Sequence, residues 1–303
     1  MKKNFSLTLV TLFTLVTFSS CRFGNKDNKE GQATRIVCIS KQYTEYIYAL
    51  GAEQDLAAVD ISSDYPAEVK KLPTVGYHRA LSLEGILAAK PSVIMCDGMR
   101  SLGPEQVVTQ LQKLNIPIKI FDSKAKDIEG TKALIREMGA YFHKEKRADT
   151  LCNKLDSEMV IAMDSAKKYA NQPKVKVLVI HFGQASNIYM VMSKGRGEGG
   201  GAGNMIDWAG GEMAVGDTTA MRQLSAEVVT KSNPDVILLT DFGYDRLGPD
   251  KIKELPGVAL TNAYKNNKIF RIDAHDFLYL GPRTGENIIK LQKLLHQDGK
   301  SPQ

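Results

Sequence analysis

The chain has few cysteines and no concentration of charge, and both facts exclude classes of protein. Four cysteines occur in 303 residues. Cys38, Cys96 and Cys152 are widely spaced. Cys38 and Cys96 lie in apolar, strand-like runs and Cys152 lies on a predicted helix, so we interpret all three as small buried hydrophobic residues, with one disulfide left open. Neither a disulfide framework nor a zinc site is indicated. The formal net charge is only +6, and without a basic block or basic-aromatic interleaving we expect no nucleic-acid partner.

Signatures of catalysis are also missing. The sequence has no nucleophile elbow, no H-E-x-x-H and no paired carboxylates at a recognisable spacing. Residues Gly195 to Gly200 formally satisfy the dinucleotide pattern G-x-G-x-x-G, but an acidic residue at the expected distance inside a clean βαβ unit is lacking. These absences argue against catalysis, so we do not expect an enzyme; an exported enzyme that uses the glycine loop or His181 is the less favoured alternative.

The apolar run at the start of the chain is too short to cross a bilayer comfortably. It extends from Phe5 to Phe18, after two lysines, and is followed by Ser19-Ser20-Cys21. This pattern predicts a signal peptide over residues 1–21, and its cysteine is typical of a bacterial lipoprotein signal in which Cys21 is acylated. A plain signal peptide or a short anchor is the alternative. Residues 22–33 are polar and contain glycine, which predicts a flexible tether. We expect a lipid-anchored protein of the periplasm or cell envelope.

Strands and helices alternate from Thr34 onwards, which favours parallel sheets covered on both faces. Residues 34–142 are predicted to form an N-terminal α/β lobe and residues 173–303 a C-terminal one. Between them, residues 143–172 carry one apolar face from Ala148 to Ala166 without a convincing breaker. This predicts one linking helix of roughly 28 residues, about 40 Å long. The fold class is therefore α/β, with two Rossmann-like lobes joined by a single long helix.

A repeated unit supports the two-lobe interpretation. Residues Leu81 to Ile94 (LSLEGILAAKPSVI) align without a gap to residues Leu224 to Ile237 (LSAEVVTKSNPDVI). Each copy predicts a short helix capped by serine, with Glu84 or Glu227 in its first turn, followed by a buried strand. Near a helix amino terminus, the negative charge of each glutamate interacts favourably with the helix dipole and stabilises the helix by about 0.3 to 1 kcal/mol.

The sequence resembles a known family over nearly its whole length after the tether. The segments that carry the resemblance are LPTVGYHRALSLEGILAAKPSVI (Leu72 to Ile94), MVMSKGRGEGGGAGNMIDWAGG (Met190 to Gly211), LSAEVVTKSNPDVILL (Leu224 to Leu239), LPGVALTNAYKNNKIFRID (Leu255 to Asp273) and LYLGPRTGE (Leu278 to Glu286). They resemble the substrate-binding proteins of ABC importers for haem, within the helix-linked class III periplasmic binding proteins that also bind cobalamin and ferric siderophores. The resemblance implies a monomer that takes haem as cargo, with a permease and an ATPase as partners.

The same resemblance assigns roles to individual residues. Tyr77, in the block Val-Gly-Tyr-x-Arg, takes the position of the axial ligand of ferric haem, and Arg79 is the cation that would favour its phenolate form. His181 is either a second axial ligand or a hydrogen-bonded structural residue. Many relatives carry arginine where this chain has Phe242, which leaves Arg246 as the candidate replacement.

Two further groups of residues take roles from this family. The resemblance implies that the backbone of the glycine loop approaches haem or its propionates closely, with Lys194 and Arg196 as charge partners. Glu84 and Glu227 become the glutamates that dock each lobe onto the permease. Whether one haem or a stacked pair is bound stays open, and a corrinoid or ferric siderophore is the alternative cargo.

Overall fold

The structure is a computed structural model that describes residues 34–77, 80–184, 187–190, 201–216 and 222–296. Within these ranges, no helix is both long enough and apolar enough to cross a membrane. The residues from Thr34 onwards form one compact unit.

The first lobe is built on a parallel four-stranded sheet in the order β2-β1-β5-β6. A separate antiparallel hairpin, β3-β4, precedes the second helix. The elements of this lobe are the strands β1 (Ile36–Ile39), β2 (Leu56–Val59), β3 (Gly76–Tyr77), β4 (Ala80–Leu81), β5 (Val93–Cys96) and β6 (Ile118–Lys119), and the helices α1 (Lys41–Leu50), α2 (Leu83–Ala88), α3 (Glu105–Lys113) and α4 (Ile128–Tyr141).

The second lobe follows helix α5 (Glu145–Lys167) and repeats the parallel arrangement in the order β9-β7-β11-β12. Antiparallel strands extend its edge, because β8 pairs with β7 and β10 pairs with β8. Its elements are β7 (Val175–Gln184), β8 (Asn187–Met190), β9 (Gly211–Met213), β10 (Arg222–Leu224), β11 (Val236–Thr240) and β12 (Ile269–Ile272), with α6 (Gly201–Trp208), α7 (Ala226–Ser232), α8 (Asp241–Leu247), α9 (Asn262–Lys265), α10 (Ala274–Leu278) and α11 (Thr284–His296).

Each sheet is covered on both faces, as the near-continuous apolar strands predict. Alternate residues of β1 belong to different clusters: Ile36 and Cys38 pack with α1 and α4, whereas Val37 and Ile39 pack with α2. The strands of the second lobe divide in the same way between two clusters. The expected fold class, two α/β lobes with parallel sheets, is confirmed, with antiparallel additions at one edge.

Helix α5 packs against the cores of both lobes. Leu151 and Leu155 belong to the first lobe's core and Ala162 to the second lobe's core, while Met159 contacts both. Its 23 residues make it about 35 Å long, which is shorter than predicted. It begins after His143, whose φ of 55° takes the backbone out of the helical conformation and separates α4 from α5.

The repeated unit has the same local structure in both lobes. Ser82 and Ser225 cap their helices by accepting hydrogen bonds from the amides of Gly85 (3.0 Å) and Val228 (3.3 Å). The helices end near Lys90 and Asn233, which occupy equivalent positions and have φ values of 48° and 40°. The repeat therefore extends from residue types to backbone conformation. In each lobe the capped helix is followed by a strand, β5 or β11, and these two strands take equivalent places in the two sheets.

Candidate functional site

Tyr77 lies on the hairpin that extends beyond the carboxyl end of β2. The amide of Ile61, just past that strand, donates to the carbonyl of Gly76 at 2.9 Å. The chain then turns back so that Tyr77 pairs with Ala80. The side chain of Tyr77 is 43 % exposed. The hairpin thus presents a phenol at the edge of the sheet where ligands of open α/β proteins bind.

Gly76 is required for this presentation. Its φ is +95°, and a Cβ atom built on it would lie 2.8 Å from the carbonyl oxygen of Ala80. Any side chain would meet both the strain of a positive φ and a contact with backbone that cannot rotate away. The position before Tyr77 therefore accepts only glycine without distortion of the hairpin.

His181 lies near the carboxyl end of β7 in the second lobe. Its Nδ1 is 3.1 Å from the hydroxyl of Thr240, and its ring stacks on Phe242 with centroids 5.5 Å apart. Burial has the largest effect on the pKa of His181 and lowers it; Asp241 opposes this shift, and the positive charge of Lys41 adds to it. The ring is accordingly neutral at neutral pH.

Arg246 extends the group around His181. Its guanidinium lies 5.5 Å from the centre of the Phe242 ring, so that one aromatic side chain contacts both His181 and Arg246. Because Phe242 is 49 % exposed, this group lies at the surface of the lobe. The structure thus brings His181 and Arg246 together through Phe242.

The carboxyl edges of the two sheets lie towards one another. Helix α1 starts directly after β1 of the first lobe, and its Gln42 and Tyr46 both donate to the carbonyl of Leu280, a residue that follows β12 of the second lobe. Lys41, at the start of the same helix, is close enough to His181 to affect its pKa. Tyr77 and His181 therefore come from facing edges of the two lobes.

A buried ion cluster connects the lobes and was not predicted. Glu45 of α1 is hydrogen-bonded to His275 and accepts from Arg283, whose Nε lies 2.9 Å away. Arg283 also pairs with Asp276 at 2.6 Å. Glu45 and His275 are 5 % and 1 % exposed. We call these four residues the interlobe ion cluster.

The cluster keeps Glu45 ionised. Burial alone would raise the pKa of Glu45, but the hydrogen bonds and charges of His275 and Arg283 lower it below its usual value. The partners are 230 or more positions apart, and no sequence pattern links them. The signal in the sequence was a single charged residue, Glu45, among the otherwise uncharged inward residues of helix α1.

Glu84 and Glu227 lie in the first turns of the two serine-capped helices, and both are exposed. Cys38, Cys96 and Cys152 are buried, as predicted, and the disulfide that the sequence left open is not formed among them. Four other residues with predicted roles lie outside the described residues: Cys21, Arg79, Lys194 and Arg196.

Comparison with known proteins identifies the family. The model of the family described as periplasmic binding protein matches residues 36–275. The chain belongs to this family. Its members and structural neighbours are substrate-binding transport proteins.

Two of the individual relatives are named for a cargo, one for haem and one for vitamin B12. The periplasmic heme-binding protein RhuT from Roseiflexus sp. RS-1 superposes with a TM-score of 0.78 and 28 % identity, over 89 % of this chain and 100 % of that protein. A vitamin B12-binding protein of Pectobacterium atrosepticum is 28 % identical over 68 % of this chain and 71 % of its own. An ABC transporter substrate-binding lipoprotein of Bacillus subtilis, YvrC, is 24 % identical over 87 % of this chain and 80 % of its own.

Proposed function

We propose that this chain is the substrate-binding protein of an ABC importer for haem. It captures haem between the facing carboxyl edges of its two sheets and delivers it to a membrane permease driven by an ATPase, without converting it chemically. The observation that carries the proposal is Tyr77, an exposed phenol held on a glycine-dependent hairpin at that edge. The similarity to a heme-binding protein over that protein's full length supports it.

The chemistry of Tyr77 fits ferric haem. Ferric iron is a hard cation that prefers an anionic oxygen, which a tyrosine supplies once the metal displaces its phenolic proton. Arg79, and Arg246 from the second lobe, would favour the phenolate, and Lys194 and Arg196 would pair with the propionates. His181, a neutral imidazole on the facing edge, would be the second axial ligand.

A corrinoid is the second candidate cargo, because the curated relatives include a vitamin B12-binding protein. The same two edges would hold it, and a ferric siderophore would fit the same architecture. A corrinoid needs no phenolate ligand, however, so the exposed Tyr77 favours haem.

The test is an absorption titration of the purified protein with hemin, aquocobalamin and a ferric hydroxamate siderophore in parallel. We expect saturable binding of hemin, with the charge-transfer band of a ferric phenolate complex, and much weaker binding of the other two. The saturation point also distinguishes one bound haem from a stacked pair. Saturable binding of aquocobalamin without binding of hemin would show that the cargo is a corrinoid and not haem.

The proposed location is the cell envelope, with the chain held by a lipid on Cys21 and the tether 22–33. Cells that express the protein and are fed a labelled fatty acid should label the wild type and not the variant Cys21→Ser. The variant should also leave the membrane fraction. Label on the variant would place the anchor elsewhere.

A further inference from the structure

His181 occupies an irregular point of its sheet. The ladder between β7 and β11 ends at the pair Ile180 and Leu239, and the register with β8 shifts between Ile180 and Phe182. The carbonyl of His181 is therefore not part of a regular ladder on either side. A backbone carbonyl in such a place needs another donor.

Thr240 supplies this donor. Its hydroxyl donates to the carbonyl of His181 at 2.9 Å, and the same oxygen lies 3.1 Å from Nδ1 of the imidazole. Thr240 is fully buried, so these are the partners that satisfy its hydroxyl. The two contacts join the backbone and the side chain of one residue to a single oxygen atom.

This arrangement selects one tautomer of the ring. A hydroxyl has one hydrogen, and a carbonyl can only accept, so the hydrogen points at the carbonyl of His181. The hydroxyl oxygen then accepts from Nδ1, which must carry the proton. The opposite tautomer would leave the two oxygens 2.9 Å apart with no hydrogen between them.

Phe242 fixes the plane of the same ring, with an angle of 18° between the two ring planes. Nε2 makes no hydrogen bond to any described residue. With Nδ1 protonated, Nε2 of the neutral ring carries the lone pair that binds a metal. A histidine that ligates a metal commonly has its other nitrogen bonded in this way.

We infer that Thr240 is a positioning residue that holds His181 as the Nδ1-protonated tautomer, so that Nε2 is the axial donor for a metal in a tetrapyrrole cargo. This inference rests on the proposed function for the choice of cargo. The inference explains why the His181 ring contacts both a hydroxyl and an aromatic ring, which together fix its orientation. Packing of the strand alone would not require these contacts.

The first experiment reads the tautomer without cargo, by ¹⁵N NMR of the imidazole nitrogens in the full chain, with His181 assigned through the variant His181→Gln. Wild type and Thr240→Ser should show a protonated Nδ1 and an unprotonated Nε2. Thr240→Val, which has the same shape without the acceptor, should show a mixture or the opposite tautomer. Thr131→Val is the matched control, because it removes another fully buried hydroxyl that donates to a carbonyl. A wild type protonated at Nε2 would overturn the inference.

The second experiment reads ligation with two probes, hemin and aquocobalamin. His181→Ala should convert a six-coordinate hemin spectrum into a five-coordinate one. Thr240→Val should weaken binding about tenfold or more, and Thr240→Ser should restore it. If hemin does not bind but aquocobalamin shows a band shift that His181→Ala removes, the proposed cargo is wrong and the inference stands. If neither probe's spectrum changes in His181→Ala, His181 is not a ligand and the inference fails.

Discussion

At the scale of single residues, a substitution of Tyr77 tests the choice between haem and a corrinoid. The change Tyr77→Phe removes the oxygen and keeps the ring. Because the side chain is 43 % exposed, stability should change by no more than about 0.5 kcal/mol. Hemin affinity should fall about tenfold or more and the charge-transfer band should vanish, since the loss of a ligand costs at least as much as the loss of its supporting hydrogen bond.

The matched control for Tyr77 is Tyr264→Phe in the second lobe, a tyrosine that is also exposed, at 36 %. Its hemin titration should be that of the wild type. An unchanged band in Tyr77→Phe would show that another group ligates the iron. That result would remove the main support for haem over a corrinoid.

The interlobe ion cluster predicts a large loss of stability from one substitution. Arg283→Met leaves the buried carboxylate of Glu45 without its guanidinium partner, which should cost roughly 3 to 5 kcal/mol in the free energy of unfolding. Arg271→Met breaks an exposed pair with Asp245 and should cost about 1 kcal/mol or less. Urea denaturation of both variants measures the difference. Equal losses would mean that the buried pair contributes no more than a surface pair.

The same cluster predicts a pH dependence. The pKa of Glu45 is lowered in the folded protein, so the unfolded chain binds this proton more readily. The stabilisation is complete above the ordinary carboxylate value of 4.5 and is lost as the pH falls through the lower, folded-state pKa. The stability difference between the wild type and Glu45→Gln should therefore shrink below about pH 4.5. Denaturation curves from pH 7 to pH 3.5 test this, and a difference that grows in acid would contradict it.

Local structure could be predicted from the sequence: Ser82 and Ser225 cap the helices that start directly after them. The ligand role of Tyr77 follows from the family resemblance and stays a prediction. The interlobe ion cluster was not predictable, because Glu45 lies 230 or more positions from its partners His275 and Arg283 along the chain. Thr240 was missed for a similar reason: its partner His181 is 59 positions away on a neighbouring strand.

At the scale of elements, the hairpin β3-β4 controls the position of Tyr77, the proposed iron ligand. Gly76→Ala must place a Cβ atom 2.8 Å from the carbonyl of Ala80 at a φ of +95°. Gly51→Ala is the matched control, because Gly51 has a φ of +70° and no atom within 4 Å of the added Cβ. The control should lose about 1 kcal/mol from the positive φ alone. Gly76→Ala should lose more and should also bind hemin more weakly, since Tyr77 is displaced. Equal effects in stability and in hemin titrations would show that the hairpin tolerates the contact.

Helices and strands with a clear periodic pattern of apolar residues could be predicted to within a few residues. The end of an element could not be predicted where it depends on the backbone angle of a single residue. Strands β2 and β5 coincide with apolar runs of the sequence that are buried in a sheet. The apolar run Ile116 to Phe121 forms a strand only over Ile118–Lys119, which begins directly after Pro117, a residue without an amide hydrogen for the ladder. Strands β8 and β10 join the sheet antiparallel, which alternation along the sequence does not specify.

At the scale of the whole molecule, two features hold the lobes in one arrangement. Helix α5 is packed into both cores, and the interlobe ion cluster joins α1 of the first lobe to residues that follow β12 of the second. A large rotation between the lobes would separate Glu45 from Arg283 and leave buried charge unpaired. We therefore expect the facing edges, and the faces that carry α2 and α7, to keep nearly fixed positions when cargo binds.

A fixed arrangement is what paired docking requires. Glu84 and Glu227 occupy equivalent positions on the exposed sides of the two capped helices. We propose that each contacts one of two permease subunits. If both contacts form together, the second gains from the effective concentration that the first creates, so the loss of either should weaken docking strongly. Glu84→Lys and Glu227→Lys should each abolish haem-dependent growth in cells that carry the full importer.

The measurement for this last prediction is paired. Hemin affinity of the purified variants should stay at the wild-type value, because both glutamates lie on helices outside the group formed by His181, Phe242 and Arg246. Glu145→Lys is the control, since Glu145 is an exposed first-turn glutamate on α5 and belongs to neither capped helix. It should transport normally. If Glu84→Lys and Glu227→Lys also transport normally, these glutamates serve only their helix dipoles; if hemin binding itself is lost, they lie closer to the cargo than the docking role allows.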